Sequence, residues 1–437
     1  MGILWAGSLT FATRAGVFLA SLLTNVLLAR TLGPEGRGVY AIVLLVPTIV
    51  FVIANMGVGA ANVYFVGRRS FPIEDIFGYA FSLALIIGVA SFLLTTVFVT
   101  QLGGALFPGV RLTYVLVASL ALPAMLLAYF LQTIFQGLQR FAEFNIISAI
   151  QALSQTLAVA LAVLVLKVDA YGAVIAWVIS WIPVGVAGAI LTVQIVPLSF
   201  RVSVRVYRTL LKFGLFAYLT NLTAFFNFRF DVILVNLFAG LRQVGLYTAA
   251  FTLVEAIWYV ATAASTVIAP RVASADEALA DKLAATATRI VLAITLVASI
   301  GLALSAPRLI TIFLGDSFAA SVTAVWLLLP GVVTFAVARV LSGYFLGRNK
   351  LSVDLVATSL GVALTLVLDL ALIPRFGFIG ASIASSFAYT GTMLVSVTWI
   401  VRHSSISVRD LLLITQNDLV LIGQRIRVAR PLAKDRR

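Results

Sequence analysis

Six ionisable side chains lie inside long apolar stretches of this 437-residue sequence: Arg14, Arg229, Asp231, Glu255, Arg339 and Asp369. A charged group near the centre of a bilayer costs about 2.5–3.5 kcal/mol even on a lenient insertion scale. Each is therefore expected to face a cavity or an opposite charge instead of lipid. The chemistry open to them is anion binding by arginine, ion coupling by a carboxylate, or pairing between helices.

Two of these charges are expected to meet. Arg229 and Asp231 are two residues apart, so they point to different faces of one helix. The connection that follows them is short, which makes the next apolar stretch an antiparallel neighbour with Glu255 near its middle. We predict a pair between Arg229 and Glu255. Contacts that hold helices together explain Asp231, Arg339 and Asp369 at least as well as a functional role does.

The composition places these stretches in a membrane. Hydrophobic residues make up 62% of the chain, charged residues 11%, and the mean hydropathy is +1.11. The hydrophobic fraction is far above that of a soluble domain. No alternating pattern indicates a barrel, so the expected fold is all-α and polytopic. Apolar runs of about twenty residues, the length that crosses a bilayer, predict twelve spans: 10–30, 38–60, 77–100, 113–136, 145–166, 171–195, 212–236, 245–269, 290–313, 322–346, 352–373 and 378–401.

The distribution of basic residues predicts the topology. Of the 30 lysines and arginines, 21 lie on the side of the N-terminus or in the C-terminal tail, and seven lie in the opposite connections. The positive-inside rule then places both termini in the cytoplasm. The net charge of +14 reflects this topology and attraction to anionic lipid, so nucleic acid is not an expected partner.

Cysteine and histidine usage excludes several kinds of site. The chain has no cysteine and one histidine, His403, so disulfides, iron–sulfur ligation and a histidine-rich metal site are excluded. We expect neither a metal nor a cofactor.

A short glycine-containing turn between two apolar runs occurs twice, as NVLLARTLGPEGRGVYAIVLLV from residue 25 and ILVNLFAGLRQVGLYTAAFTLV from residue 233. Gly33, Gly38 and Tyr40 match Gly240, Gly245 and Tyr247 at an offset of 207 residues. Further matches follow in the same order, with offsets of 207 to 210: Leu122-Pro123 with Leu329-Pro330, YGAVIA at 171 with IGASIA at 379, and Gly137 and Arg140 with Gly347 and Lys350. They predict a duplication of six spans. Because six is even, the two copies enter the membrane with the same polarity and form a parallel repeat.

Five segments carry a resemblance to a known family. They are LLARTLGPEGRGVYAIVLL, FQGLQRF, FRFDVILVNLFAGLRQVGLYTAAFTL, FLGRNK and PRFGFIGASIA. Over residues 1–401 the chain resembles the O-antigen type polysaccharide flippases. Their superfamily also contains the multidrug and toxic-compound exporters and the flippases of lipid-linked peptidoglycan precursors.

The resemblance implies a V-shaped pair of six-helix bundles around a central cavity lined mainly by spans one, two, seven and eight. It implies that the chain translocates a polyprenyl-diphosphate-linked oligosaccharide or polysaccharide precursor across the membrane by alternating access. The implied partners are the lipid-linked glycan, membrane lipid and a glycan polymerase or glycosyltransferases.

Two alternatives remain open. A cation-coupled multidrug exporter has the same fold with a smaller substrate. A membrane glycan polymerase, ligase or glycosyltransferase is disfavoured, because the longest outer connection, about 306–321, offers only Asp316 as an acid/base residue. We therefore expect a transporter and not an enzyme.

The implied cavity gives roles to particular residues. It favours substrate binding by Arg14, Arg229 and Glu255, because these lie on spans one, seven and eight and a diphosphate suits guanidinium groups. Asn25 and Asn55 can bond to sugars, although membrane asparagines more often bond to other helices. Asp231, Arg339 and Asp369 are candidates for ion coupling or interhelical pairing.

The expected division of the chain is an N-terminal six-helix bundle at 1–200, a C-terminal one at 201–401 and a cytoplasmic tail at 402–437. The tail is basic, and its apolar residues recur at helical spacing, which predicts an amphipathic helix on the inner leaflet. A tail that binds a partner is the alternative. Because all twelve spans end before it, deletion of 404–437 is expected to leave the bundle able to fold. Pro123 and Pro330 occupy equivalent repeat positions and predict similar bends in spans four and ten.

Overall fold

A computed structural model describes residues 3–196, 207–214 and 230–413, with the side chains of 3–8 and 11 left aside. Every regular element in these ranges is helical. By contact density the chain divides into two compact units. The first comprises Met1–Ala249 and Ile310–Ala319, and the second comprises Ala250–Leu309 and Ala320–Arg437.

The first unit contains the helices of the N-terminal repeat and the first elements of the second one. In chain order its helices are α1 (Ile3–Ala54), α2 (Val58–Gly67), α3 (Ile73–Leu106), α4 (Leu112–Ser119), α5 (Leu122–Gly137), α6 (Phe141–Ala160), α7 (Ala170–Ile179), α8 (Trp181–Val193), α9 (207–214) and α10 (Phe230–Ala239), followed by the start of α11 (Leu241–Ser274). A π-helical turn, Leu161–Val165, extends α6, and another π turn, Ile310–Leu314, also belongs to this unit.

The second unit continues α11 and adds α12 (Glu277–Leu309), α13 (Ser321–Gly347), α14 (Leu351–Phe376), α15 (Phe378–His403) and α16 (Val408–Leu412). Its core includes Leu411 from α16, which is fully buried. Asp281 of α12 accepts hydrogen bonds from Tyr344 (2.8 Å) and from the Ser405 amide (3.2 Å) and hydroxyl (3.1 Å). The first turn of the tail is therefore packed against the helices, and the amphipathic pattern beyond 413 lies outside the described residues.

α16 begins at a capping box. The Ser407 hydroxyl accepts from the Asp410 amide (3.2 Å), while Asp410 accepts from the Ser407 hydroxyl (2.7 Å) and amide (3.0 Å). These bonds hold the pKa of Asp410 below its usual range. Arg289 of α12 donates to the Asp410 carbonyl oxygen, which ties the same turn to the second unit.

The predicted spans are confirmed over the described residues. Ten helices are long and apolar enough to cross a membrane. The first, Ala12–Ala54, contains two of the predicted spans, because Gly33 (φ 66°, ψ −175°) breaks the helix. Most of the seventh predicted span, 212–236, falls outside the described residues. The chain is a polytopic, all-helical membrane protein.

The turns between spans are shorter than expected. The sequence predicts connections at 31–37 and 237–244, whereas the structure reverses the chain at Gly33 and at Gly240 (φ 84°). Helical geometry resumes directly after Gly33 because Pro34 suits the first position of a helix, where no amide donor is needed. Glycine adopts the left-handed φ at both turns without the steric cost that a side chain would bring.

The backbone repeats at the offsets of the sequence repeat. Residues with positive φ pair across the two halves at offsets of 206 to 210: Gly33 with Gly240 (66° and 84°), Gly109 with Gly315 (78° and 99°) and Gln139 with Asn349 (58° and 56°). Each pair lies at equivalent junctions between helices. The duplication therefore extends to backbone conformation.

The helices differ at the two equivalent prolines, and the expectation that spans four and ten bend alike stays a prediction. Span four divides into α4 and α5 just before Pro123, whereas α13 continues through Pro330. Beside Pro330 the hydroxyl of Ser386 in α15 accepts from the Gly331 amide (3.2 Å) and donates to the Leu327 carbonyl. This side chain is inserted into the helical hydrogen-bond ladder and satisfies both backbone groups. The corresponding stretch of the first repeat, 176–178, is Ala-Trp-Val and has no hydroxyl.

Candidate functional site

The two repeated hairpins cross at their glycines. A Cβ placed on Gly38 would lie 1.8 Å from the carbonyl oxygen of Leu241, and one on Gly245 would lie 1.8 Å from that of Pro34. Pro34 and Leu241 occupy equivalent positions of the repeat, as do Gly38 and Gly245. The contact is therefore reciprocal, with backbone against backbone, and only glycine permits so close an approach.

A buried arginine lies beside this crossing. Arg37 is 4% exposed, and its Nη2 donates to Asn25 Oδ1 (3.0 Å) and to the carbonyl oxygen of Thr248 (3.2 Å). Arg37 thereby joins the helix segments before and after Gly33 to the start of α11. Sequence reasoning placed it in an outer connection; the glycines that flank it, in EGRGVY, were the available sign of close packing.

Asn25 is thus engaged as a hydrogen-bond acceptor, and its own amide donates to the Ser21 carbonyl (2.9 Å). Among the described residues the bonds of Asn55 are local: it donates to the Val52 carbonyl (2.9 Å) and accepts from the Gly57 amide (3.1 Å) at the end of α1. Arg14 is exposed on α1. Arg229 lies outside the described residues, so its pairing with Glu255 stays a prediction.

Polar contacts continue around the hairpins. Asp231 is buried and accepts hydrogen bonds from the Tyr247 hydroxyl and from the Val232 amide (2.7 Å). Arg30, at the last turn before Gly33, donates to the carbonyl oxygens of Ile312 and Phe313 in the second π turn, the latter at 3.1 Å. The bond between Tyr247 and Asp231 thus joins α10 to α11 within one helical hairpin, and the bonds of Arg30 join α1 to the second π turn.

A second charged cluster lies in the second unit. Among the described residues, the carboxylates of Asp354 and Glu255 lie within electrostatic range of Arg339. Among the described residues neither forms an ion pair with it within 4 Å, and Arg339 Nε has no hydrogen-bond partner there. Asp354 accepts from Ser342 (2.9 Å), and Arg339 lies over the Phe335 ring at 5.8 Å. Sequence reasoning did not single out Asp354, which stands in the first turn of α14.

Asp369 is fully buried in α14. Within the described part of the chain, no three His, Cys, Asp or Glu side chains gather as a metal ion would require.

An apolar groove of about 460 Å³ runs along the first unit. It lies between the second segment of α1, from Val46 to Ala54, and residues of α3 and α10. Its lining includes Leu94, Phe98 and Ile233, and the only hydroxyls are those of Ser91 and Thr95. The Thr95 hydroxyl donates to the Ser91 carbonyl (2.7 Å). The groove has the chemistry of a hydrocarbon site.

Comparison with known proteins agrees with this architecture. Among solved structures the chain is similar to the lipid II flippase MurJ in an inward closed conformation, with a TM-score of 0.79 and 15% identity over 96% of this chain and 92% of that one. It is also similar to an inward-facing multidrug resistance MATE transporter of the MOP superfamily, with a TM-score of 0.74 and 16% identity over 88% and 93% of the two chains. At these identities the likeness shows the fold.

A MOP superfamily transporter from Pyrococcus furiosus is similar at a TM-score of 0.58 and 16% identity, over 89% of this chain and 92% of that one. No curated protein sequence matches the chain. The sequence model of one family, described as polysaccharide biosynthesis protein, matches residues 27–323. The chain therefore belongs to the polysaccharide biosynthesis protein family and has the fold found in MurJ and the MATE transporters.

Proposed function

We propose that the protein translocates a polyprenyl-diphosphate-linked oligosaccharide or polysaccharide precursor across the cytoplasmic membrane by alternating access. Family membership supports a polysaccharide substrate, and the fold supports a transporter. In this proposal both termini are cytoplasmic, as the distribution of basic residues predicts. The six N-terminal spans and the six that follow 201 act as the two bundles.

The observation that carries the proposal is the reciprocal crossing at Gly38 and Gly245. Alternating access needs a contact that forms and separates as a unit. Here equivalent residues of the two repeats meet through backbone atoms, so no large side chain has to repack when they part. With the turns at Gly33 and Gly240 on the outer side, the crossing acts as an outer gate, and Arg37 holds it closed through the Thr248 carbonyl.

The charged residues fit an amphiphile with a diphosphate. Arg14 and Arg229 are the proposed ligands of the diphosphate, and the apolar groove suits the prenyl chain. Glu255 would balance an arginine, either Arg229 or Arg339. A double-mutant cycle with each arginine in turn decides between them, because a coupled pair gives non-additive losses of stability.

The remaining predicted residues take second roles in this proposal. Asn25 acts through Arg37, and Asn55 shapes the end of α1. Asp231, Arg339 and Asp369 hold helices together or couple an ion. A glycan polymerase or glycosyltransferases are the proposed functional partners.

Deletion of the gene tests the proposal against the drug-exporter alternative. A glycan flippase predicts loss of surface polysaccharide and accumulation of its lipid-linked precursor in the inner leaflet, with drug susceptibility unchanged. Intact polysaccharide together with increased drug susceptibility would show that the substrate is a small molecule. Re-expression of the wild-type chain is the control for effects on neighbouring genes.

A further inference from the structure

A polar cavity of about 630 Å³ lies within the first unit. Three segments line it: the turn around Gly33, the connection between α3 and α4, and the connection between α6 and α7. Its charged lining residues are Glu35, Arg111, Lys167 and Asp169, and its aromatic residue is Tyr114. None of them has a part in the crossing or in the charged clusters described above.

The four charged groups remain available to a ligand. Glu35, Arg111, Lys167 and Asp169 are exposed, and within the described ranges none forms an ion pair inside 4 Å. Asp169 Oδ1 accepts from the amides of Tyr171 (3.0 Å) and Gly172 (3.1 Å) at the start of α7, which leaves Oδ2 as an acceptor. Two positive and two negative groups cancel, so the lining has both donors and acceptors and no net attraction for an anion.

Tyr114 adds an immobilised aromatic ring. It stacks on Tyr171 with ring centroids 3.9 Å apart and an angle of 18° between the planes. Tyr171 is not a lining residue, so the stack fixes the Tyr114 ring through a contact outside the cavity. An aromatic face packs against apolar ligand surface, and the hydroxyl offers a polar contact at the ring edge.

The second repeat shows that the fold does not require these residues. Lys167 has a φ of 49°. A left-handed conformation costs a residue with a side chain about 1–2 kcal/mol, so the turn itself favours glycine over lysine. Four lining residues change chemistry in the second repeat, at the offsets of the neighbouring matches: Glu35 to Arg242, Arg111 to Ser317, Tyr114 to Ala320 and Asp169 to Gly377.

We propose that this cavity binds an uncharged, hydroxyl-rich sugar residue, a pyranoside stacked on Tyr114 and bonded by Glu35 and Arg111. The volume lies within the range of about 300–1,000 Å³ that is usual for small-ligand sites. The view that the sugar belongs to the exported glycan rests on the proposed function, and in that topology the cavity opens on the outer side. Binding of the sugar itself does not depend on transport.

The experiment uses the full chain in detergent and the absence of cysteine. Thr31→Cys places a thiol in the cavity lining, and Thr113→Cys, beside Tyr114 but outside the lining, is the matched control. The rate of maleimide labelling is measured with methyl glucoside, methyl galactoside, methyl mannoside and methyl N-acetylglucosaminide, and separately with glucuronate and inorganic phosphate. At a concentration about ten times its dissociation constant, a bound sugar leaves about one site in eleven free. Labelling of Thr31→Cys should then slow about elevenfold, and labelling of Thr113→Cys should not change.

Variants assign the protection to the proposed groups. Glu35→Gln and Arg111→Gln in the Thr31→Cys background should each weaken protection, while Tyr114→Phe should retain it because the stacked ring remains. Absence of protection by all four methyl glycosides overturns the proposal. Stronger protection by phosphate or glucuronate also overturns it, since the cavity would then be an anion site. Sugar protection without loss of surface polysaccharide in the deletion strain would retain the sugar site and reject the transport function.

Discussion

Replacement of Gly38 by alanine tests the crossing directly. The new Cβ would lie 1.8 Å from the Leu241 carbonyl oxygen, whereas a carbon atom normally approaches a carbonyl oxygen to about 3.3 Å or more. The two backbones must therefore move apart by about 1.5 Å. Overpacking of this kind costs typically about 1–3 kcal/mol. If the crossing separates during transport, only the closed state bears this cost, and the equilibrium shifts about 5–150-fold toward the separated state.

The measurement is electron–electron distance spectroscopy on spin labels at Glu35→Cys and Arg242→Cys, which are exposed and equivalent in the repeat. Gly38→Ala should add a longer distance, and Gly245→Ala should act with similar size because its clash with Pro34 is the same. Gly104→Ala is the control, since a Cβ there meets nothing within 4 Å. An unchanged distance distribution with lowered thermal stability would refute the gate and leave a static packing contact.

Three further predictions concern stability in detergent. Arg37→Gln should lower the free energy of unfolding by about 1–3 kcal/mol, because the hydrogen bonds to Asn25 and the Thr248 carbonyl are lost; the exposed Arg242→Gln is the control, and equal melting curves would contradict the buried network. Ser386→Ala should cost a similar amount by leaving backbone groups around Pro330 unsatisfied, whereas Ser305→Ala, which loses only a bond within its own helix, should change little. Deletion of 404–437 should lower the free energy of unfolding by about 2–5 kcal/mol or more, because it removes the core leucine Leu411. Deletion of 414–437 leaves that contact in place. Equal stability of the two truncations would show that the first turn of the tail is dispensable.

The positions of the spans could be predicted because hydrocarbon thickness imposes a length and a composition on each helix. The repeat was also visible, since Gly33 and Gly240 must adopt a backbone conformation that favours glycine. The predicted turns lie at the right positions in the chain, but the predicted connections are longer than those in the structure. The reason is that the Pro, Gly and Arg residues after Gly33 have the composition of a loop. In the structure those residues begin a helix. The loop-like composition is why the sequence places Arg37 in a connection, whereas the structure places it in the interior.

Contacts between distant helices could not be predicted in the same way. Nothing in the sequence marks Ser386, and only the packing of α15 beside Pro330 brings its hydroxyl to the Gly331 amide and the Leu327 carbonyl. Asp354 looked like a residue of a helix end until the fold brought its charge to Arg339. Likewise, span counting alone predicts that deletion of 404–437 leaves the bundle able to fold, and the burial of Leu411 adds a loss of stability to that expectation.

The same hairpin occurs twice because a reciprocal contact needs equivalent residues on both sides. Gly38 meets the carbonyl of Leu241 only if Gly245 can meet that of Pro34, so one sequence solution serves both partners and a change on either side disturbs both. Binding of a ligand has no such requirement. The residues that differ between the repeats are therefore where specificity can develop, and Glu35 and Tyr114, which correspond to Arg242 and Ala320, mark such a place. The proposed movement and the proposed recognition then belong to separate parts of one duplicated motif, the symmetric crossing and the asymmetric polar cavity.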